Sequence, residues 1–255
     1  MGRHSVKIAV CFSGQIRTGV QASPNIKNYI GNLWDNCTFF CHTWDMNTRK
    51  PYNANGIHRE GYPLDHKTLT DFVDIYGLYG KIVVEQYDEI LKTKYATGWN
   101  PMHYSWRRSI EVMQEYQRMT TNLDFNFIVK LRPDVLTRPT RNMSKEIANC
   151  LLKHDKNSFF AESTFSGRQG IIDDVIYYAT PEIMDRASKF AYFQETAPTL
   201  GIKPYLEQEN INLACSVQDL PEMGYAILRE ESLHRDPVTD WQGCYDDDMK
   251  FYQPL

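Results

Sequence analysis

The sequence predicts a single α/β domain over residues 1–255, a sandwich in which helices flank a mostly parallel central sheet. Short apolar runs alternate with segments of helical period, and strands that alternate with helices usually pair in parallel. No Ser-, Gly- or Pro-rich linker and no internal repeat divides the chain. The predicted strands are 6–12, 38–43, 81–85, 127–131, 158–161, 175–178 and 225–228, and the predicted helices are 24–34, 65–76, 87–91, 102–119, 144–152, 181–192 and 207–217.

The helix predicted over 102–119 has the clearest pattern. Its large apolar residues recur every three or four positions, which places them on one face. We interpret this face as core, not as a cofactor site. The residues are Met102, Trp106, Ile110, Met113 and Tyr116.

Other helix starts carry capping signals. Asp65 and Thr180 stand where N-caps are expected, and Pro181 is typical of a first helical turn. Segment 47–63, which contains several Gly and Pro residues, is predicted to be a long loop of the kind that carries function.

The composition is that of an ordinary globular protein. Hydrophobic residues make up 42% and charged residues 24%, which excludes collagen-like, low-complexity and disordered classes. The net charge of −4 gives no basic field, so no nucleic-acid partner is expected. The mean hydropathy is −0.51, and no run of 18 apolar residues or secretory signal is visible, so neither a membrane span nor secretion is expected.

The six cysteines are scattered along a chain too long to need disulfide staples. We therefore predict reduced, mostly buried thiols. Cys37, Cys41 and His42 could be taken for part of a zinc site, but no second Cys/His pair at zinc-ligand spacing accompanies them.

A polar loop follows the first predicted strand. It contains Ser13, Gly14, Gln15 and Arg17, and ligands of open α/β sheets bind at the carboxyl ends of strands. The loop suits an anion or a nucleotide, although a plain strand-to-helix turn explains it equally well. Neither a dinucleotide-binding motif nor a P-loop is present.

The second predicted strand ends in His42, Thr43, Trp44 and Asp45. A flat ring beside a carboxylate suits a nucleoside. The alternative is a tryptophan that closes the sheet edge and a Thr or Asp that caps the next segment.

The strand over 127–131 is followed by Arg132, Pro133 and Asp134. The arginine could bind a phosphate and the aspartate a divalent cation. A simple ion pair between the two is the alternative.

Two adjacent carboxylates, Asp173 and Asp174, precede the strand over 175–178. Neighbours on a strand point to opposite faces, so one of them can enter a site and act as a general base. The start of a helix explains at least one of the acids Glu207 and Glu209, and a solvated tail explains the acidic run 246–248.

The order of these motifs resembles small glycosyltransferases of the GT-A type, found in bacterial polysaccharide loci and in large DNA viruses. The resemblance covers about residues 7 to 217. It rests on Ser13-Gly14-Gln15-Ile16-Arg17, His42-Thr43-Trp44, Met102-His103-Tyr104-Ser105, Lys130-Leu131-Arg132-Pro133-Asp134, Asp173-Asp174, and Glu207 or Glu209.

The resemblance implies a Rossmann-like GT-A fold that moves a sugar from a nucleoside diphosphate sugar to a hydroxyl of a glycan acceptor. It implies a nucleotide-sugar half over about 1–135 and an acceptor half over about 136–255. Because neither a secretory signal nor a membrane span is expected, a cytoplasmic location is predicted, in the host cell if the protein is viral. The implied donor-binding residues are Ser13, Gly14, Gln15, Arg17, His42, Trp44, Tyr104, Arg132 and Asp134.

It further implies Mn²⁺ or Mg²⁺ held by Asp134 and His234, and catalysis by Asp174 with support from Asp173. His234 is otherwise an ordinary surface histidine. Arg132 stands where the family's Asp-x-Asp motif has its first aspartate, so the metal contact rests on Asp134, or Arg132 supplies part of the metal's charge. Two alternatives stay open: a catalytically silent nucleotide-sugar or glycan-binding module, and a nucleotide-sugar hydrolase.

Overall fold

The structure is a computed structural model that describes residues 6–48, 61–87, 100–121, 123–153, 157–161, 175–196, 202–215, 225–228 and 232–250. The strands are β1 (Ile8–Ser13), β2 (Cys37–Trp44), β3 (Met46–Thr48), β4 (Gly61–Pro63), β5 (Ile82–Glu85), β6 (Phe127–Leu131), β7 (Val135–Thr137), β8 (Ser158–Ala161), β9 (Ile176–Ala179), β10 (Asn212–Cys215) and β11 (Tyr225–Ile227). The helices are α1 (Gly19–Ile30), α2 (His66–Tyr76), α3 (Asn100–Met119), α4 (Met143–Lys153), α5 (Pro181–Ser188), α6 (Phe190–Thr196), α7 (Ile202–Gln208) and α8 (Trp241–Lys250), with a 3-10 turn over Gly31–Asn36.

A seven-stranded sheet runs through the described part of the chain in the order β10, β8, β9, β6, β1, β2, β5. Its strands are parallel except β9, which is antiparallel to both of its neighbours. The predicted α/β sandwich with a mostly parallel sheet is confirmed.

Alternate residues of β1 enter two separate apolar layers. Ile8, Val10 and Phe12 pack in the layer that contains residues of α1 and α2, whereas Ala9 and Cys11 pack in the layer that contains residues of α3. Both faces of the sheet are thus covered, as parallel sheets require.

The α3 stripe is core, as predicted. Trp106, Ile110 and Met113 are buried, Tyr116 packs against them partly exposed, and only Met102 lies outside that cluster. The capping prediction at α2 is also confirmed, because the Asp65 carboxylate accepts the N–H of Thr68 at 2.8 Å.

The helix predicted over 207–217 is wrong for its second half. Helix α7 ends at Gln208, and Asn210 adopts a φ of 53°, which a continuing helix does not allow. The chain then pairs as β10 along β8. Pairing with β8 at the edge of the sheet makes this segment a strand, and this pairing cannot be predicted from the local sequence.

The ends of the predicted loop over 47–63 form a two-stranded antiparallel ribbon of β3 and β4. Its middle, residues 49–60, lies outside the described residues. Free thiols are found, as predicted, at Cys11, Cys37, Cys41, Cys150 and Cys244. Among the described helices, none combines the length and the apolar character that crossing a bilayer needs.

Strand β1 marks the point where the chain changes direction across the sheet. Its neighbours are β2 on one side and β6 on the other, so the connections that leave the carboxyl ends of β1 and β6 diverge. Such a switch point opens a crevice where α/β proteins bind ligands.

Candidate functional site

Two arginines hold one buried carboxylate at this switch point. Arg132 donates from Nε to Asp134 Oδ1 at 3.0 Å and from Nη2 to Oδ2 at 3.1 Å. Arg17, from the loop after β1, donates from Nη2 to the same Oδ2. The Asp134 side chain is fully buried, whereas 11% of Arg17 and 20% of Arg132 is exposed. These three side chains together carry a net positive charge.

The loop after β1 has an unusual backbone that presents Arg17. Gly14 has a φ of 113°, and Arg17 itself has a φ of 32°, in the left-handed region. The Arg17 N–H is satisfied by Asn47 Oδ1 at 3.2 Å. Buried Ile16 anchors the loop to the core. This arrangement fixes the guanidinium next to the end of β6.

Leu228, the residue after strand β11, holds the backbone of Asp134. The Leu228 N–H donates to the Asp134 carbonyl at 2.9 Å, and the Thr18 hydroxyl donates to the Leu228 carbonyl at 2.7 Å. The loops that carry Arg17 and Asp134 are therefore joined through a third segment of the chain.

The same two loops are in direct contact at Gly19. A Cβ at this position would lie 3.2 Å from both the Cβ and the carbonyl oxygen of Pro133, and 3.0 Å from the Phe72 ring. Only glycine permits this approach without displacement, so Gly19 allows the loop after β1 to pack directly on Pro133.

Arg17 keeps one unused donor. Its Nε is buried and has no hydrogen-bond partner. A buried donor without a partner is costly, and a bound oxyanion would satisfy it. Of the other predicted donor residues in this loop, Ser13 is buried, and Gly14 and Gln15 are half-buried.

The end of β2 lies beside this loop and is tied to it through α3. The Gly14 N–H donates to the Ser105 hydroxyl at 2.7 Å, and the same oxygen lies 2.8 Å from His42 Nδ1. His42 is fully buried. His42 therefore supports the loop through the hydroxyl of Ser105.

Trp44 and Tyr104 form an aromatic cluster with Tyr87. The Trp44 and Tyr104 rings are near parallel, 5.7 Å apart, and the Tyr87 ring meets Trp44 edge-on at 5.3 Å. Trp44 is 2% exposed and Tyr104 is 8% exposed. Neither ring offers a free face to a nucleoside, which matches the alternative in which Trp44 closes the sheet edge. Direct donor contacts by His42, Trp44 and Tyr104 stay predictions.

Glu85, the last residue of β5, joins this cluster. Its carboxylate accepts the Tyr104 hydroxyl at 2.7 Å and Arg108 Nε at 2.8 Å. His42 Nε2 lies 3.6 Å away. Burial alone would raise the pKa of the Glu85 carboxyl, but these three neighbours outweigh it and lower that pKa to about 2. Burial lowers the pKa of His42, so its neutral form is favoured.

Sequence reasoning assigned no role to Glu85, Ser105 or Lys130. Glu85 ends a strand, which is the signal used for Arg132 and His42. Ser105 stands within a motif of the resemblance, yet its role depends on where α3 packs. Lys130 is a lysine inside an apolar strand, where it is 1% exposed and its Nζ stands 4.9 Å from the centre of the Tyr177 ring.

The remaining predicted site residues are Asp173, Asp174 and His234. Asp173 and Asp174 lie outside the described residues. His234 is exposed in the turn before α8. Their catalytic and metal-binding roles stay predictions.

The described residues do not fit a divalent cation at Asp134. Both of its carboxylate oxygens already accept hydrogen bonds from guanidinium groups. Within the part of the chain that the structure describes, no group of three or more His, Cys, Asp or Glu side chains could hold a metal. The chemistry of this donor set suits an anion.

Comparisons with known proteins give structural likenesses at low identity. No family model matches the sequence, and no curated protein is similar to it. Solved structures similar to this chain include the galactosyltransferase LgtC with donor and acceptor sugar analogues (TM-score 0.47, 10% identity, 97% of each chain). A cytidylyltransferase from Leptospira borgpetersenii gives a TM-score of 0.48 at 9% identity over 98% of each chain. A glycosyltransferase involved in the glycosylation of the major capsid of PBCV-1 gives 0.40 at 9% identity, over 82% of this chain and 81% of that one.

Proposed function

We propose that this protein is a glycosyltransferase that moves a sugar from a nucleoside diphosphate sugar to a hydroxyl of a glycan acceptor. The observation that carries the proposal is the pair Arg17 and Arg132, held by buried Asp134 at the switch point of the sheet. The order of motifs along the sequence supports a sugar nucleotide as the ligand.

The arginine pair suits the charge that develops in such a transfer. When the bond from the sugar to the diphosphate breaks, the leaving nucleoside diphosphate gains negative charge. Guanidinium groups match phosphate oxygens with paired donors. Because Asp134 orients both groups before the donor arrives, the site needs little rearrangement to stabilise the leaving group.

The acceptor hydroxyl needs a base. We assign this role to Asp174, which would take the proton of the hydroxyl as its oxygen attacks the sugar carbon. Asp173 would orient Asp174. This scheme predicts inversion at the anomeric carbon, since the acceptor attacks from the face opposite to the departing diphosphate.

A thermal-shift screen of UDP-, GDP-, CDP- and dTDP-sugars, each with and without Mn²⁺, tests donor binding, because a ligand of the native state raises the unfolding temperature. A sugar nucleotide that binds is then incubated with candidate glycans and the products are identified. We expect one donor class to bind and its sugar to appear on an acceptor.

Other results would point elsewhere. Binding with no turnover on any glycan would favour the silent binding module, and release of free sugar in water would favour the hydrolase. Formation of pyrophosphate from a nucleoside triphosphate and a sugar phosphate would indicate a nucleotidyltransferase and contradict the proposal.

A further inference from the structure

We propose that Arg17 and Arg132 neutralise the donor diphosphate without a divalent cation, and that Asp134 is a positioning residue for both guanidinium groups. The inference rests on the proposed function, and it departs from the metal ligand that the resemblance implies at Asp134.

The geometry of Asp134 is the first reason. A carboxylate binds a cation through lone pairs on its oxygens. Here Oδ1 accepts Nε of Arg132, and Oδ2 accepts Nη2 of Arg132 and Nη2 of Arg17. The side chain is fully buried. A metal ion would have to displace guanidinium donors from Oδ2 and enter a position where the carboxylate is closed to solvent.

The local charge is the second reason. A divalent ion at Asp134 would lie next to two positive side chains, which repel it. A diphosphate at the same place is attracted by the net positive charge of the three groups. The site therefore favours the anion over the cation.

The unpaired donor of Arg17 is the third reason. Its Nε is buried without a hydrogen-bond partner, and 11% of the Arg17 side chain is exposed. A shift of the side chain that lets a phosphate oxygen accept from Nε would remove this cost. A metal ion would leave it in place.

The loop backbone gives independent support for a fixed anion site. Arg17 is held at a φ of 32° by Asn47, whose side chain accepts its N–H at 3.2 Å. A positive φ at a non-glycine residue is retained only where the surrounding contacts enforce it. Here they enforce the position of one guanidinium.

The test is calorimetric titration of the full chain with UDP, GDP, CDP and dTDP, in buffer with EDTA and in buffer with Mn²⁺ or Mg²⁺. We expect one diphosphate to bind in EDTA with a Kd within about twofold of that in metal, a difference small beside the tenfold steps that one lost charged contact produces. Binding that needs the metal would overturn the inference and leave the proposed function standing. No binding of any diphosphate in either buffer would overturn the proposed function as well.

Variants separate the two roles of the site. Arg17→Lys and Arg132→Lys keep the charge but lose guanidinium donors, both those that bind Asp134 and those that remain for a phosphate, so the affinity in EDTA should fall about tenfold or more. Arg118→Lys is the matched control, because Arg118 is exposed near the carboxyl end of α3, and it should bind normally. Circular dichroism and thermal unfolding confirm that each variant is folded.

Asp134→Asn gives a second, independent measurement. If Asp134 positions the arginines, this variant should still bind the diphosphate in EDTA within about tenfold of the parent, since both cations remain. Added Mn²⁺ or Mg²⁺ should change its diphosphate affinity no more than it changes that of the parent. A loss confined to metal-dependent binding would identify Asp134 as a metal ligand and overturn the inference.

Discussion

The hydroxyl of Ser105 accepts the amide N–H of Gly14 at 2.7 Å, which ties α3 to the loop that carries Arg17. The same oxygen lies 2.8 Å from Nδ1 of the buried His42. One small side chain thus joins the carboxyl ends of β1 and β2 to a helix that is remote from both in sequence. The position of the arginine site depends on this contact.

Removal of the Ser105 hydroxyl is expected to weaken both stability and donor binding. Ser105→Ala leaves His42 Nδ1 buried with its partner removed, which should cost about 1–3 kcal/mol. Chemical unfolding and nucleoside diphosphate titration measure the two effects. Ser109→Ala is the matched control, because Ser109 is buried one turn later and its hydroxyl bonds only within α3 to the Trp106 carbonyl at 2.7 Å. Equal stability losses with unchanged donor affinity in both variants would contradict this role.

A methyl group at Gly19 should move the two arginines apart. Gly19→Ala places a Cβ 3.2 Å from Pro133, and an overpacked site of this kind costs about 1–3 kcal/mol. Donor affinity should fall with stability. Gly80→Ala provides the comparison, since it strains a φ of 70° just before the amino end of β5, an edge strand of the sheet. It should destabilise the fold by about 1–2 kcal/mol and leave donor affinity unchanged, and the same pattern for Gly19→Ala would refute the spacing argument.

Acid should destabilise this protein partly through Glu85. Its pKa is lowered from 4.5 to about 2, so the unfolded state binds the proton more readily, and the stability that Glu85 contributes is lost as the pH falls from 4.5 toward 2. The shift corresponds to about 3 kcal/mol at most. Glu85→Gln should be less stable near neutral pH, with a shallower acid dependence measured by urea unfolding.

His42 adds to the same trend at higher pH. Because burial lowers its pKa below 6.5, the unfolded state takes up the proton first, and stability declines as the pH falls below that value.

Glu115→Gln, at an exposed position of α3, serves as the control for Glu85→Gln and should reproduce the parent profile. A parent-like profile for Glu85→Gln would show that the carboxylate is not held by its three partners.

The assignment of the base predicts a difference between two adjacent acids. Asp174→Asn should lose about 10²- to 10⁴-fold in transfer rate while it still binds donor, and Asp173→Asn should lose less. Steady-state kinetics, donor titration and the anomeric configuration of the product measure this. Near-normal rates in both variants, or retention of configuration, would make Asp174 a binding or structural carboxylate.

Much of the fold follows from local sequence. The apolar runs that became β1, β2 and β6, and the stripe of α3, are patterns between residues a few positions apart, and burial of one face follows directly from them. The polar residues at the strand ends could be found in the same way. Because parallel strands end at one edge of a sheet, the neighbourhood of Arg17 and Arg132 was predictable in outline.

The tertiary structure decided which groups bind the Asp134 carboxylate. The sequence allowed Asp134 to be a metal ligand or the partner of Arg132, two positions away, but the further contact from Arg17 joins residues 117 positions apart. Ser105, Glu85 and the edge strand β10 likewise owe their roles to distant segments. Periodicity is set by neighbours in the chain, so the sequence alone determined where the candidate site lies. Hydrogen bonds and charge balance depend on which loops the order of the strands brings together. Only the assembled sheet therefore decided that the buried carboxylate is bound by two arginines.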